Sequence, residues 1–228
     1  MKHKKHIVIL TGAGVSAESG IRTFRDGDGL WEQHNIEDVA SPEAWRRNPE
    51  LVLRFYNERR KQILNTTYNK AHELMAKLES HYKVSIVTQN IDDLHERAGS
   101  STVLHLHGEI LKMRSSRNEN LVYPIYKDIH IQDTAADGAP LRPHIVWFGE
   151  AVPLIEEAIT LMEKADVFLL VGSSLHVYPA ASLIDYVPNH CPKYVVDTKI
   201  PPIGHHHIIP IQATATVGME LFYKNMME

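Results

Sequence analysis

Residues Thr11 to Gly20 read TGAGVSAESG, directly behind the apolar run Ile7-Val8-Ile9-Leu10. A short β-branched run that ends in closely spaced glycines predicts a buried strand turning into a helix. Gly12 suits the tight turn, and Gly14 lets backbone N–H groups come close to a pyrophosphate. Ala17 stands where the dinucleotide fingerprint takes Gly or Ala, so that helix and strand pack closely. A helix beginning near Val15 would aim its N-terminal amides at the phosphates. The fingerprint is short, and a plain glycine-rich strand–helix turn fits the same ten residues.

The rest of the composition narrows the field. The 228 residues suffice for one α/β domain, or one with a small insertion. A net charge of -4 offers no basic field for nucleic acid. The longest apolar runs are far too short to span a membrane, and the basic stretch Met1 to His6 lacks the apolar core of a signal peptide. The single cysteine, Cys191, excludes an internal disulfide and a cysteine-built metal site, and a cytoplasmic, reducing compartment is expected. Nothing in the sequence sets an oligomeric state, and a monomer is compatible with it.

Outward from the first strand, helices are expected over Glu43 to Leu64, Asn69 to Ser80, Leu154 to Lys164, Ala180 to Val187 and Met219 to Met226, from apolar residues at helical spacing. Strands are expected over Tyr82 to Thr88, Thr102 to Leu106, Asp166 to Val171 and Tyr194 to Val196. Met113 to Ala139 reads as polar and irregular, with weak strand signals at Leu121 to Tyr126. Strands alternating with helices predict an α/β fold with a doubly wound parallel sheet. Ligands of such sheets sit outside the carboxyl ends of the strands. The polar groups of interest fall there: Gly12 to Gly14, Gln89 to Asp92, His107-Gly108, Gly172 to Ser174, and Asp197.

Each group also has a plainer use. The amides and carboxylate of Gln89-Asn90-Ile91-Asp92 suit ribose hydroxyls and a carboxamide, and suit helix capping equally well. In Leu104-His105-Leu106-His107-Gly108, alternation places both histidines on one face. They fit zinc ligands, although no third ligand is near, and they fit satisfied structural groups. Leu141 to Glu150, LRPHIVWFGE, reads as an extended segment with an aromatic end before a glycine turn. The small residues Gly172-Ser173-Ser174 let a phosphate or ribose approach the backbone. Tyr56 and Arg59, three apart on an expected helix, share a face.

The succession GAGVSAESGIRTFR and then GLW, with QNID, HG, RPxxVWFGE and GSSL behind it, resembles the sirtuins, the NAD-dependent protein-lysine deacylases. The resemblance runs from Ile7 to about Met226. It implies a Rossmann-like core at about 1–107 and 141–228 within a single catalytic domain, and a small module at about 108–140 with part of 30–65. It implies that NAD is consumed as a co-substrate, contacted by Gly12, Ala13, Gly14, Ser16, Glu18, Phe24, Arg25, Gln89, Asn90, Ile91, Asp92, Gly172, Ser173, Ser174, Asp197 and Ala213. His107 takes the position of the general base. Val146, Trp147, Phe148, Gly149, Glu150 and Val177 take positions that hold the acylated lysine peptide, by strand addition. In the reaction so implied, the amide oxygen of the acyl-lysine attacks C1′ of the NAD ribose as nicotinamide leaves. A ribose hydroxyl, deprotonated with help from His107, then attacks the imidate carbon. Imidazole suits that task because its ordinary pKa, about 6.5, lies near working pH. The products are lysine, nicotinamide and O-acyl-ADP-ribose.

Tyr56-x-x-Arg59 resembles the YxxR signature of sirtuins that remove acidic acyl groups. Arg59 would grip a carboxylate bidentately while Tyr56 donates its hydroxyl. A charge-assisted bond of about 1.5–3 kcal/mol gives one to two powers of ten in favour of succinyl or malonyl, without excluding acetyl-lysine. Two other functions keep the same site: an NAD glycohydrolase or ADP-ribosyltransferase, and a non-catalytic NAD-binding module.

The chain departs from the sirtuin pattern between His107 and Leu141. Sirtuins generally carry two CxxC pairs here around a structural zinc; this chain has none, and Ser115 and Ser116 stand near the first pair. Glu119, Asp128, His130, Asp133 and Asp137 lack a tetrahedral spacing, so no zinc is expected. The module would be held by what Leu121, Val122, Tyr123, Ile125, Tyr126, Ile129 and Ile131 bury. His205-His206-His207 is expected to be a solvated loop.

Overall fold

The computed structural model describes residues 4–21, 30–31 and 34–228. In chain order its elements are β1 (His6–Thr11), β2 (Leu30–Trp31), β3 (His34–Asn35), α1 (Ile36–Val39), α2 (Pro42–Arg47), α3 (Pro49–Leu64), α4 (Lys70–Leu78), β4 (Lys83–Thr88), α5 (Leu94–Arg97), β5 (Val103–His105), β6 (Gly108–Ser115), β7 (Val122–Pro124), β8 (Leu141–Ile145), α6 (Ile155–Met162), β9 (Val167–Val171), β10 (Lys193–Asp197), β11 (Ile208–Gln212) and α7 (Ala215–Met227).

Six strands form one sheet in the order β11-β10-β9-β1-β4-β5, and every neighbouring pair is parallel. The order reverses between β1 and β9, which makes the gap beyond their carboxyl ends the switch point of a Rossmann-like sheet. Alternation splits the strands between two cores. Ile7, Ile9, Ile86 and Leu169 face α4 and α7, meeting Leu74, Met75, Met219 and Phe222. Val8, Leu10, Val87, Phe168 and Leu170 face α6 and a 3₁₀ segment, Ala180–Tyr186, meeting Ala158, Met162 and Leu183. A sheet covered on both faces requires unbroken apolar strands, which is why IVIL and VFLLV are legible as sequence.

Several elements differ from expectation. No α-helix starts near Val15. Two single 3₁₀ turns, Ala13–Val15 and Ala17–Ser19, end at Gly20 with φ +87°. The helix expected over Glu43 to Leu64 is broken at Asn48, because a proline disfavours helical geometry in the residue before it. Both halves start with proline behind a capping side chain: Ala44 N donates to Ser41 Oγ (3.0 Å) and Leu51 N to Asn48 Oδ1 (3.1 Å). Strand β11 has no counterpart among the expected elements. Its Pro210 would deny it a central place, but it lies at the sheet edge, where proline is tolerated. Helix α7 begins four residues before Met219, in a β-branched stretch with no helical periodicity.

The segment expected to be irregular contributes to a second sheet, antiparallel, in the order β7-β6-β8. Of the apolar residues expected to hold this module, Ile125 and Ile129 are buried, with Leu53, Ala135 and Leu141. Val122, Tyr126 and Ile131 are exposed instead. Buried Arg60 ties α3 to the module through Nε to the Ile110 carbonyl (2.9 Å) and Nη1 to the Lys127 carbonyl (3.3 Å).

Candidate functional site

A cavity of about 480 Å³ opens at the carboxyl ends of the parallel strands. Gly12, Ala13, Gly14, Ser16 and Glu18 enter it from the turn after β1, and Gln89, Asn90, Ile91 and Asp92 from the end of β4. His107 follows β5; Gly172, Ser173 and Ser174 follow β9; Asp197 ends β10; Ala213 precedes α7. Tyr56 and Arg59 of α3 line it as well, together with Val146 to Glu150 and Val177. Phe24 and Arg25 lie outside the described residues.

The glycines after β1 have a use different from the one expected. A Cβ on Gly12 would sit 2.8 Å from the Gly172 carbonyl oxygen, and one on Gly14 2.7 Å from Gly172 Cα. Both make room for the turn after β9, as Gly172 does for Val15 N. The turn's amides are largely spent inside the protein: Gly12 N donates to Val171 O, Gly14 N to Gly172 O, Val15 N to Gly12 O and Ser16 N to Ala13 O. From Gly12 to Ser16 only the Ala13 amide has no protein partner among the described residues. The row of free helix-end amides expected here is therefore absent. Glu18 accepts from Thr216 N (2.8 Å) and Thr216 Oγ1 (2.7 Å), joining this turn to the first turn of α7.

The residues after β4 are linked to both neighbouring turns. Gln89 Nε2 donates to Ser173 Oγ (3.0 Å), and Asn90 Nδ2 to Gly12 O and Ser16 Oγ (3.2 Å each). Ser16 Oγ donates to Asp92 Oδ2 (3.1 Å), whose other oxygen accepts from Leu94 N (3.2 Å). Burial raises the Asp92 pKa above the usual carboxylate value, against the Leu94 amide and the Ser16 hydroxyl. His107 Nδ1 is 3.0 Å from the Gln89 carbonyl, which only accepts, so that nitrogen carries the proton and Nε2 is the basic one. Burial lowers the His107 pKa, against that same carbonyl, and keeps the ring neutral near pH 7.

On the other side the wall is apolar and braced from behind. Ile145, Val146, Trp147 and Phe148 line it. Arg142 lies over the indole of Trp147, 3.3 Å from its centroid, and pairs with Glu150 through Nη1 (2.7 Å) and Nη2 (3.1 Å). Glu150 Oε2 also accepts from Trp147 N (2.8 Å). Glu150, expected at the peptide, is thus committed to holding the loop. Val146 N donates to His107 O and Phe148 N to Ala40 O, whereas the Gly149 amide has no backbone partner among the described residues. Trp147 Nε1 donates to the Tyr56 hydroxyl oxygen (3.0 Å), and burial raises the Tyr56 pKa far above its ordinary value.

Comparison with known proteins decides the family. The Sir2 family model matches residues 12–179. The chain belongs to the Sir2 family. A Helicobacter pylori (strain ATCC 700392 / 26695) protein named NAD-dependent protein deacylase is 57% identical over 195 residues, covering 86% of this chain and 85% of its own. One of the same name from Bacteroides thetaiotaomicron is 53% identical over 208 residues, covering 89% and 88%. A solved Sir2 homologue–NAD complex superposes with a TM-score of 0.88 at 37% identity, covering 98% of this chain and 90% of that one.

This Sir2 chain also uses residues that its motifs do not announce. Thr198, Thr214, Ala215, Tyr178 and Pro179 line the cavity. Thr214 and Ala215 belong to the start of α7, which has no periodic signal, whereas Tyr178-Pro179 directly follows Val177. Among the described residues no group of three or more His, Cys, Asp or Glu is arranged to hold a metal. His205 pairs with Asp185 at 2.7 Å.

Proposed function

We infer that the protein is an NAD-dependent protein-lysine deacylase that moves the acyl group of a modified lysine onto ADP-ribose. The observation that carries this is one cavity in which a neutral, oriented histidine joins a polar dinucleotide side to an apolar, aromatic side. The donor set fits NAD: the amides of Gln89 and Asn90, the hydroxyls of Ser16 and Ser173 and the Asp92 carboxyl suit ribose hydroxyls and a carboxamide. Ala13 N supplies the amide at the phosphates. When bound, NAD supplies a ribose carbon with a good leaving group and the hydroxyls that take up the acyl group. His107 Nε2 accepts a proton from a ribose hydroxyl, and its Nδ1–H stays on Gln89. Val146, Trp147 and Phe148 enclose the lysine stem and keep water from competing for the acyl carbon. The whole chain is the catalytic unit: the parallel sheet holds the dinucleotide, and α3 with the second sheet frames the acyl end.

The acyl preference follows from α3. Arg59 is almost fully buried at the cavity with Nη1 on Gln62 Oε1 (2.9 Å), and Tyr56 stands one turn before it. A buried guanidinium and a phenol at the acyl end favour succinyl- and malonyl-lysine, with acetyl-lysine still accepted. The substrates are acylated proteins, and a cytoplasmic setting fits the one buried cysteine. The test is incubation with NAD and matched acetyl-, malonyl- and succinyl-peptides, followed by mass. Peptide-dependent formation of O-acyl-ADP-ribose is expected. Nicotinamide release that ignores the peptide would point to a glycohydrolase instead.

A further inference from the structure

His105, at the end of β5, and His107, in the turn that follows, take opposite protonation states against two successive carbonyls. His105 ends β5, which pairs in parallel with β4 so that His105 stands beside Thr88. Its Nδ1 is 3.0 Å from the Asn90 carbonyl, while His107 Nδ1 is 3.0 Å from the Gln89 carbonyl. Carbonyls only accept, so both rings carry a proton on Nδ1. The rings differ at Nε2. That of His107 has no protein partner among the described residues, whereas that of His105 is 2.7 Å from Glu96 Oε1. A carboxylate also only accepts, so His105 holds both protons. Burial opposes its charge, but Glu96 and the Asn90 carbonyl outweigh burial and raise its pKa. One histidine is therefore a fixed cation and the other a neutral base.

Resting on the deacylase reading above, we propose that His105 is a positioning residue of the reaction: it holds the Asn90 carbonyl and so fixes the Gln89–Asp92 turn against the NAD side of the cavity. His105 is not among the residues that line the cavity, so it acts through Asn90. The side chain of Asn90 bridges Gly12 O and Ser16 Oγ, and its amide donates to Thr88 Oγ1 (3.0 Å). Ser16 in turn donates to Asp92. Releasing the Asn90 carbonyl frees the peptide between Asn90 and Ile91 to rotate, and both of its neighbours line the cavity. The other backbone anchors of the turn are Gln89 N on the Thr11 carbonyl, His107 Nδ1 on the Gln89 carbonyl and Ile110 N on the Ile91 carbonyl (2.8 Å); they hold the peptides on either side, and none reaches the Asn90 carbonyl.

Two substitutions divide the bonds of His105 between them. In His105→Asn the amide nitrogen sits as far from Cβ as Nδ1 does, which keeps a donor for Asn90 and gives up Glu96. In His105→Gln it sits as far out as Nε2, which keeps Glu96 and gives up Asn90. The readouts are kcat and KM for NAD at saturating acyl-peptide, with the thermal midpoint alongside. His105→Gln is expected to lose at least about tenfold in kcat/KM and His105→Asn to stay within about threefold, because small misplacements of reacting groups are costly. Their thermal midpoints should fall alike. A structural role alone would lower both activities together, and either joint loss or joint retention overturns the proposal. Should His105→Gln fail to fold, Glu96→Gln decides. Its amide donates to Nε2 and leaves a neutral His105 with Nδ1–H on Asn90, so activity near wild type is expected and loss of about tenfold overturns. A wild-type protein that turned over no acyl-peptide would sink the deacylase reading; an active one whose variants do not separate would sink only the role of His105.

Discussion

The side chain of Asn57 closes a two-way bridge to the backbone of Ile129: Nδ2 donates to the Ile129 carbonyl at 2.9 Å, and Oδ1 accepts from the Ile129 amide at 3.0 Å. Arg60 Nη1 donates to the same Oδ1 at 2.7 Å. The amide is buried, and Ile129 is buried behind it. Beside Arg60, Asn57 thus attaches the module that carries β7 to α3, one side chain satisfying both groups of a distant peptide. Asn57→Leu leaves a buried N–H, a buried carbonyl and an arginine nitrogen each short of a partner. Each costs about 1–3 kcal/mol, so a loss of at least about 3 kcal/mol in urea unfolding is expected. A chelator should leave the wild-type thermal midpoint unchanged, and a fall on chelation would show that a metal carries the module instead.

As the base proposed above, His107 would act only when neutral, and burial lowers its pKa. The sign is then fixed: kcat/KM is flat above the ordinary histidine value and falls as pH drops below about 6.5. A pH series of kcat/KM with acyl-peptide reads this directly. An acid limb centred above about 6.5 would contradict the tautomer and the burial assigned to this ring.

The sequence made the parallel core legible and the attachments poorly legible, for a physical reason. Strands covered on both faces must be unbroken apolar runs, so β1, β4 and β9 stand out, and the polar turns that follow them mark the cavity. β6 does not stand out, because Lys112 and Arg114 alternate with apolar residues on a half-exposed sheet. β11 carries a proline that only its edge position permits. The role of Glu150 was the hardest to read: a carboxylate in a substrate motif points to a ligand, whereas its bond to Arg142 depends on a fold-back that no spacing rule encodes. Glycines 12 and 14 showed that a turn was needed without showing that Gly172 fills the space they leave.

His72 and His95 pack with ring centroids 4.9 Å apart, and both are fully buried. Burial, then the charge of Arg97, pushes the His72 pKa down to about 4, against Glu96. Burial, then the charges of His72 and His105, holds His95 well below its ordinary value. Unfolding restores both to about 6.5, so between that pH and about 4 the unfolded chain binds more protons. Stability therefore falls as pH drops through this window, by up to about 1.4 kcal/mol per unit from His72, and His95 adds to the fall in the same direction. Urea unfolding at neutral pH and near pH 5 measures the slope, and His72→Gln should reduce it. A slope unchanged in that variant would remove His72 from the account.

Arg59 bears on the acyl preference proposed above, because it lines the cavity almost fully buried, one turn from the phenol of Tyr56. Arg59→Met keeps the length and apolar stem and removes the charge. A buried charge-assisted bond is worth about 1.5–3 kcal/mol, so desuccinylation should fall about ten- to a hundredfold in kcat/KM, chiefly through KM. Deacetylation has no carboxylate to lose and should stay within about threefold. The same variant separates two explanations. If Arg59 served only to hold α3 in place, both reactions would fall together and the unfolding midpoint with them. If it grips the acyl carboxylate, the losses diverge while the midpoint moves little, and only that divergence supports the preference for acidic acyl groups.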